Sequence, residues 1–343
     1  MEKLSLKNCG IKNLSEDAFE DIPYLRHLDL QGNQISSTTF LKSALQLWSL
    51  NLNSNNLKNI FEDSVSLNIQ HLDAGSNPLT TLRSFSFSGI KTLSNLQLKN
   101  CSLAKIEVNA FEGLQELSYL DLSSNNLETL PGKLFSNLVN LYSLELSNNK
   151  LISIEKDYFS GLNNLHTLNI RNNSIQEISF LELQSLTLLD LSENSITTLR
   201  GRTFVGLQKL SSLSLKNSNL TDIEPKAFYG LEKLKFLDLS FNDLRYLNSS
   251  VFEGLSNVVT LDLFKSNIEV IEYEAFLGLG NLKYLNLSEN QIEVLNNKTF
   301  YGLNSLLELN LAKANIKVIE GGSFNHLYFT MLTRFEQQQF QRN

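Results

Sequence analysis

Between Leu141 and Leu162 the chain reads LYSLELSNNKLISIEKDYFSGL, and variants of this unit recur along almost its whole length. Leu141, Leu144 and Leu146 precede Asn149, and Leu151, Ile154, Phe159 and Leu162 follow it. In general form the pattern is L-x-x-L-x-L-x-x-N-x-L-x-x-I/L-x4-F-x-x-L, then a two-residue step to the next copy. No single copy of such a pattern can bury its own apolar edge, so copies must stack on one another. A length of 343 residues would otherwise suggest two or more globular domains. A stacked repeat grows without that boundary.

Fourteen copies (repeats 1 to 14) start at Met1, Leu25, Leu47, Ile69, Leu93, Leu117, Leu141, Leu165, Leu186, Leu210, Leu234, Val258, Leu282 and Leu306. Most steps are 24 residues, but those from Leu25, Leu47 and Leu165 are 22, 22 and 21. These three repeats lack the late phenylalanine at its usual place, which is held elsewhere by residues such as Phe87, Phe111, Phe135, Phe159, Phe204, Phe228 and Phe252. A one-sided column of rings in the core follows. Phe40 and Phe180 sit earlier in their repeats and predict tighter return loops with a local change of curvature.

Within a copy, L-x-x-L-x-L alternates near its end, so a short strand turns leucines inward and other residues outward. Stacking then builds one parallel sheet, with an inner arc of about 60 Å over thirteen steps of roughly 4.8 Å. Asn33, Asn55, Asn77, Asn125, Asn149, Asn173, Asn194, Asn242 and Asn290 occupy the turn after the strand. There an amide satisfies backbone groups that would otherwise be unpaired, giving a buried ladder with a scaffold role. Asp29, Asp73, Asp121, Asp190, Asp238, Asp262 and Glu145 form a column of carboxylates after the fourth-position leucine. Asn51, Asn169, Asn286 and Asn310 fill the same slot, so it reads as a place for short polar residues rather than for acid–base chemistry or Ca²⁺.

Little else in the chain carries chemistry. Cys9 and Cys101, the two cysteines, both take the ladder position, four repeats and roughly 19 Å apart, too far to bridge. Both read as free, buried, structural thiols. His27, His71 and His166 fall on the exposed strand face several repeats apart, His326 lies near the end, and none has a second ligand at metal spacing. Catalytic and phosphate-binding motifs are lacking, so no enzyme activity, metal or cofactor is expected. A net charge of −7, from 29 basic and 36 acidic residues, gives no electrostatic reason to expect nucleic acid as a partner. The sequence has no apolar run long enough to cross a bilayer, so direct membrane insertion by this chain is not expected, and MEKLSLKNCG lacks the apolar core of a signal peptide. Glycosylation triplets begin at Asn13, Asn100, Asn172, Asn219, Asn248, Asn286 and Asn297. Chance placement in a chain this rich in asparagine and serine gives as many.

Copies such as NLKYLNLSENQIEVLNNKTFYGL resemble the leucine-rich-repeat superfamily, and within it the 24-residue class of extracellular receptors and matrix proteins, such as Toll-like and Slit-like ectodomains. The resemblance covers Met1 to about Leu327. It implies an α/β solenoid: a curved horseshoe with a parallel concave β-sheet and an irregular or short-helical convex side, binding other proteins without intrinsic catalysis. The expected organisation is a solenoid over residues 1–327 and a degenerate tail over 328–343, the latter able to form a short helix over the last coil. Two departures stand out. The cysteine-rich caps usual in extracellular members are missing, and LYFTMLTRFEQQQFQRN loses the leucine pattern. Bare ends point to a region of a larger protein, or alternatively to a complete protein with weak caps. Cell-surface or extracellular localisation follows from the repeat class alone; a cytoplasmic regulatory scaffold is the alternative.

Specificity in a solenoid resides in exposed positions outside the pattern. Most are short and polar here. In repeats 11 to 13, Lys235, Phe236, Phe241, Phe264, Lys265, Lys283 and Tyr284 fall on neighbouring strands or their rim, an aromatic–basic patch of the kind that anchors a partner. Tyr119, Tyr142 and His166 form a smaller group, and Trp48 stands alone in repeat 3. Scattered surface aromatics without a role are the plain alternative, and a glycan on Asn286 would sit inside the larger patch. Alternate C-terminal repeats read LKNSNL, LFKSNI and LAKANI, as if a two-repeat unit had been duplicated. There Ser218, Ser266 and Ala314 take the ladder slot, and Lys216, Lys265 and Lys313 predict a solvated lysine row about 10 Å apart. The expected function is recognition of a protein partner, or of another copy, through the strand face of a receptor or adhesion protein. A laterally self-associating scaffold is the second class.

Overall fold

A computed structural model describes residues 1–61, 66–179 and 183–327, and the backbone of 332–334. Each repeat contributes one three-residue strand, and the burial pattern within it is the expected one: in His27–Asp29 and Ser143–Glu145 the central leucine is buried between two partly exposed neighbours. Pairing is parallel, and the register sets leucine on leucine, as in Leu28↔Leu50 and Leu50↔Leu72. Because side chains alternate with a period of two, a one-residue slip would turn every core leucine to solvent, which fixes this register.

The chain divides into two compact units, one built mainly from Met1–Asn173 and the other mainly from Gln184 onward. The first carries the strands of repeats 1 to 8, from Lys3–Ser5 to Thr167–Asn169. The second carries those of repeats 9 to 14, from Leu188–Asp190 to Glu308–Asn310, and a further strand, Leu332–Arg334, beside the last. The rest of the expected tail lies outside the described residues. The division falls in repeat 8, the 21-residue copy without its late phenylalanine. Phe180 lies outside the described residues.

Behind the strands, rings stack on one another in both units. In the first, Phe87, Phe111, Phe135 and Phe159 stack at 6.2, 5.9 and 6.4 Å between centroids. In the second, Phe204, Phe228, Phe252, Phe276, Phe300 and Phe324 stack at 5.9–6.5 Å. The short repeats fill this space from other positions: Phe40 packs edge-on against Phe19 at 5.7 Å, and Phe61 edge-on against Phe87 at 6.2 Å.

The return side, expected to be irregular or short-helical, carries almost no helix. Among the described residues the one helix is a single 3-10 turn, Thr39–Lys42, which carries Phe40. Elsewhere the return consists of turns and two-residue parallel strands, such as Tyr246–Leu247 beside Val270–Ile271 and Val294–Leu295 beside Val318–Ile319. Glycine at a left-handed position interrupts the turn before any helix can propagate. Gly161, at φ 89°, shows why glycine is needed: a Cβ there would lie 2.7 Å from the Ser136 carbonyl oxygen of the preceding repeat.

The asparagine ladder forms as expected. The Asn149 amide donates to the Leu122 and Leu146 carbonyls, each at 3.0 Å, and its oxygen accepts the Leu127 N–H at 3.1 Å. Asn33, Asn55, Asn77, Asn125, Asn173 and Asn242 bind their neighbours in the same way, and all are buried. Ser218 and Ser266 substitute through hydroxyls that donate to Leu191 and Leu239 carbonyls at 3.1 and 2.9 Å. The carboxylate column is structural too: Asp29, Asp73, Asp121, Asp190, Asp238 and Asp262 each accept the backbone N–H two residues on. Asn51, Asn169, Asn286 and Asn310 do the same.

The two cysteines differ. Cys101 is buried, and its thiol donates to the Ala74 carbonyl at 3.3 Å. Cys9 is exposed, contrary to the expectation of two buried thiols. The Cys101 thiol reaches a carbonyl of another repeat, whereas that of Cys9 donates to the Lys7 carbonyl of its own, at 3.5 Å.

Candidate recognition surface

The aromatic–basic residues of repeats 11 to 13 fall into two clusters at opposite ends of the same strands. At the upstream end Phe236 and Tyr284 lie in one row, with Thr260 between them in the ladder Phe236↔Thr260↔Tyr284. Two strand spacings put them about 10 Å apart. They are 52% and 44% exposed, high for rings in the middle of a sheet. Lys235 and Lys283, one residue earlier, line a groove with Lys233, Val259, Asn257, Asn281 and Ser305, about 530 Å³ in volume.

At the downstream end Phe241 and Phe264 meet edge-on at 5.1 Å. The ammonium of Lys216 stands 5.0 Å from the Phe241 ring centre and that of Lys265 stands 5.8 Å from it. A cation over the ring face is favoured by the quadrupole of the ring. The backbone at Phe241 is unusual for its residue type. The residue before the ladder position is left-handed in one repeat after another, and short polar residues such as Ser54, Ser76, Ser124, Asn148 and Asn172 usually take it. In repeat 11 it is Phe241, at φ 60°, with 38% of its surface exposed. A bulky side chain in that region carries a conformational cost.

Asp238 and Asp262 lie between the two clusters, each occupied with its own turn. Burial, with Asp238 alongside, raises the pKa of Asp262 above the ordinary carboxylate value, while Lys216 and the Phe264 N–H oppose the shift. Lys216, Lys265 and Lys313 are all exposed, but Lys216 sits one position earlier in its repeat than the other two. Lys216 and Lys265 come to the Phe241 ring from the repeats before and after it. Lys313 instead pairs with Glu289 at 3.0 Å. Asn286 is partly buried, and its side chain accepts from both the N–H and the hydroxyl of Ser288. The other six glycosylation triplets, at Asn13, Asn100, Asn172, Asn219, Asn248 and Asn297, begin at exposed asparagines.

In the first unit Tyr142 stacks on His166 at 4.4 Å, while Tyr119 is half-buried and its hydroxyl pKa is pushed up to about 12 by desolvation and by Asp121 and Glu145. Trp48 does not stand alone: His27 and His71 meet it edge-on from either side, at 5.3 and 4.6 Å. The three residues are 21 and 23 apart in sequence, so only reading by position within the repeat places them together. Among the described residues no group of three or more His, Cys, Asp or Glu is arranged to hold a metal, and no helix is long and apolar enough to cross a membrane.

Three further features lie outside the expectations from sequence. Asn140, Asn164, Asn257 and Asn281 form a second, exposed ladder, each amide donating to a carbonyl 25 residues back. On the return side Tyr301 contacts both Tyr273 and His326 at 5.1 Å, with Lys298 over the Tyr273 ring at 5.0 Å. In the two-residue return strands of repeats 11 to 14 the first residues, Tyr246, Val270, Val294 and Val318, are exposed and apolar. All three would emerge from reading the sequence down one column at a period of 24.

The model of the leucine rich repeat family matches residues 1–57 and, in overlapping segments, 91–332. The chain therefore belongs to the leucine rich repeat family. The NT-3 growth factor receptor of Gallus gallus is 34% identical over 118 residues, covering 32% of this chain and 13% of the receptor. Among solved structures, the Toll–Spatzle complex of Drosophila aligns over 95% of this chain and 49% of that chain, with TM-score 0.74 and 20% identity. A TLR13–ssRNA13 complex aligns over 99% and 60%, with TM-score 0.58 and 23% identity. At these identities the structural likenesses are likenesses of fold. The chain spans 13% of the curated relative and about half of the Toll chain.

Proposed function

We propose that this chain is the recognition region of a cell-surface or secreted receptor or adhesion protein, without catalysis of its own. Residues 1–327 form its scaffold, and it binds a protein partner on the strand face of repeats 11 to 13, taken as the concave face of a curved solenoid. The observation that carries the reading is Phe241, held exposed in a left-handed backbone conformation between two lysines. Strained residues cluster at functional sites, and aromatic side chains are enriched among the residues that anchor interfaces. Phe236 and Tyr284 extend the same face upstream. The likeness of part of the chain to a growth factor receptor fits this role.

Capture of extracellular proteins by the immobilised chain tests the proposal. The double variant Phe236→Ala, Phe241→Ala is expected to weaken capture by more than about 1 kcal/mol. Phe241→Asn should do so while keeping or raising the melting temperature, because asparagine tolerates the left-handed region. Unchanged capture by folded variants would sink the reading.

Lateral self-association is the second reading, favoured by the exposed apolar residues Tyr246, Val270, Val294 and Val318. In that case sedimentation shows a concentration-dependent dimer that Val270→Glu with Val294→Glu abolishes, and the Phe241 variants have no effect.

A further inference from the structure

The groove at the upstream end of repeats 11 to 14 has a chemistry distinct from the rings beside it. Three ammonium groups, of Lys233, Lys235 and Lys283, line it, and no carboxylate does. None of the three makes an ion pair among the described residues, although the chain as a whole carries a net charge of −7. Lys209 takes the position equivalent to Lys233 one repeat earlier and extends the positive field. Val259 lines it too, as do Asn257 and Asn281, whose amides are fixed on the Glu232 and Ser256 carbonyls at 2.6 and 2.8 Å. The lining thus joins an apolar side chain to three cationic ones, beside two amides already held in place.

We propose that this groove seats an acidic segment of the partner protein, its carboxylates against Lys233, Lys235 and Lys283 and its apolar side chains against Val259, Phe236 and Tyr284. The inference rests on the reading of this face as a recognition surface and specifies what it recognises. The size fits. A volume near 530 Å³ is in the range of small-ligand sites and holds a few residues of extended chain.

The surroundings disfavour a long polyanion. Along the strands the next outward side chains are Asp238 and Asp262, and across the sheet Tyr284 is followed by Glu308. A single-stranded nucleic acid would carry its phosphates past the lysines onto these carboxylates. A short acidic segment ends before it meets them.

The test uses the full chain and fluorescence anisotropy with a labelled peptide of alternating Asp, Glu and Leu or Phe. Its Asn/Gln counterpart, oligouridine, and phosphatidylserine vesicles in a phosphatidylcholine background serve as the other arms. Saturable, salt-sensitive binding of the acidic peptide alone is expected, weakened about tenfold or more by Lys235→Glu with Lys283→Glu at an unchanged melting temperature. Lys→Gln variants at the same sites should give a smaller loss. Absence of saturable binding, indifference to the lysine variants, or tighter binding of oligouridine or vesicles through the same lysines would overturn the proposal. If protein capture responds to Phe236→Ala and Phe241→Ala but not to the lysine variants, the acidic assignment fails and the recognition reading stands. If peptide binding depends on the lysines while capture ignores the two phenylalanines, the groove assignment stands and the ring-anchored reading fails.

Discussion

At the scale of single residues, the ladder slot shows how position decides chemistry. Asn149, Ser218, Ser266 and Cys101 all donate to a carbonyl of the preceding repeat, although they differ in size and polarity. For Cys101 this setting has a consequence at alkaline pH. Burial, with Asp73 and Asp121 nearby, pushes its thiol pKa from an ordinary 9.0 up to about 11. Above pH 9 the unfolded chain sheds that proton while the folded chain keeps it. Its contribution to stability is therefore whole below about pH 9, falls as pH rises through 11 and then levels off. A shift of this size corresponds to about 2–3 kcal/mol. Cys101→Ser, which mimics Ser218, should remove that share of the alkaline loss and cost little at neutral pH, as urea denaturation at pH 7 and pH 10.5 would show. Equal slopes for both proteins would contradict it. Thiol labelling should reach Cys9 alone in the native chain. The ladder is legible in the sequence because its spacing is; the exposure of Cys9 is not, because burial of that slot depends on a neighbouring coil rather than on the residue.

At the scale of elements, the rings behind the strands do the same work from different sequence positions. Phe252 is fully buried between Phe228 and Phe276, with centroids 6.2 and 6.0 Å away. Phe252→Ala should destabilise the second unit by about 3–5 kcal/mol through lost burial and the cavity left behind. Urea unfolding followed by circular dichroism measures it, and a loss below about 1 kcal/mol would mean that the column collapses around the gap. The regular members of the column can be read directly from the spacing. Phe61 cannot, because a short repeat moves its aromatic along the chain while the space to be filled stays put. The return side is left open by the sequence, which admits an irregular or a short-helical form; the left-handed glycines leave no run long enough for a helix. The strand-face patch is half legible. Its members follow from their places in the repeat, but their separation into an upstream lysine groove and a downstream ring pair depends on where each strand ends.

At the scale of the molecule, two compact units and a single tryptophan give a built-in reporter. Trp48, the one tryptophan, belongs to the first unit. Phe252→Ala should shift the unfolding seen by circular dichroism and leave the transition seen by Trp48 fluorescence where it was. Coincident shifts in both signals would mean that the chain unfolds as one cooperative body. The same residue serves as a control for the groove, since occupancy near Lys235 should not alter Trp48 emission.

The side-chain bonds that tie one ladder position to the repeat before it link residues 19 to 27 apart. Each coil thus finds its template in chain that the ribosome has only just released, and nothing it needs lies far ahead. A chain so ordered can fold in the direction it is made, each new turn docking before the next emerges. Its vulnerable moment then moves along with synthesis: it is always the last coil, with its leucines waiting for the one to come.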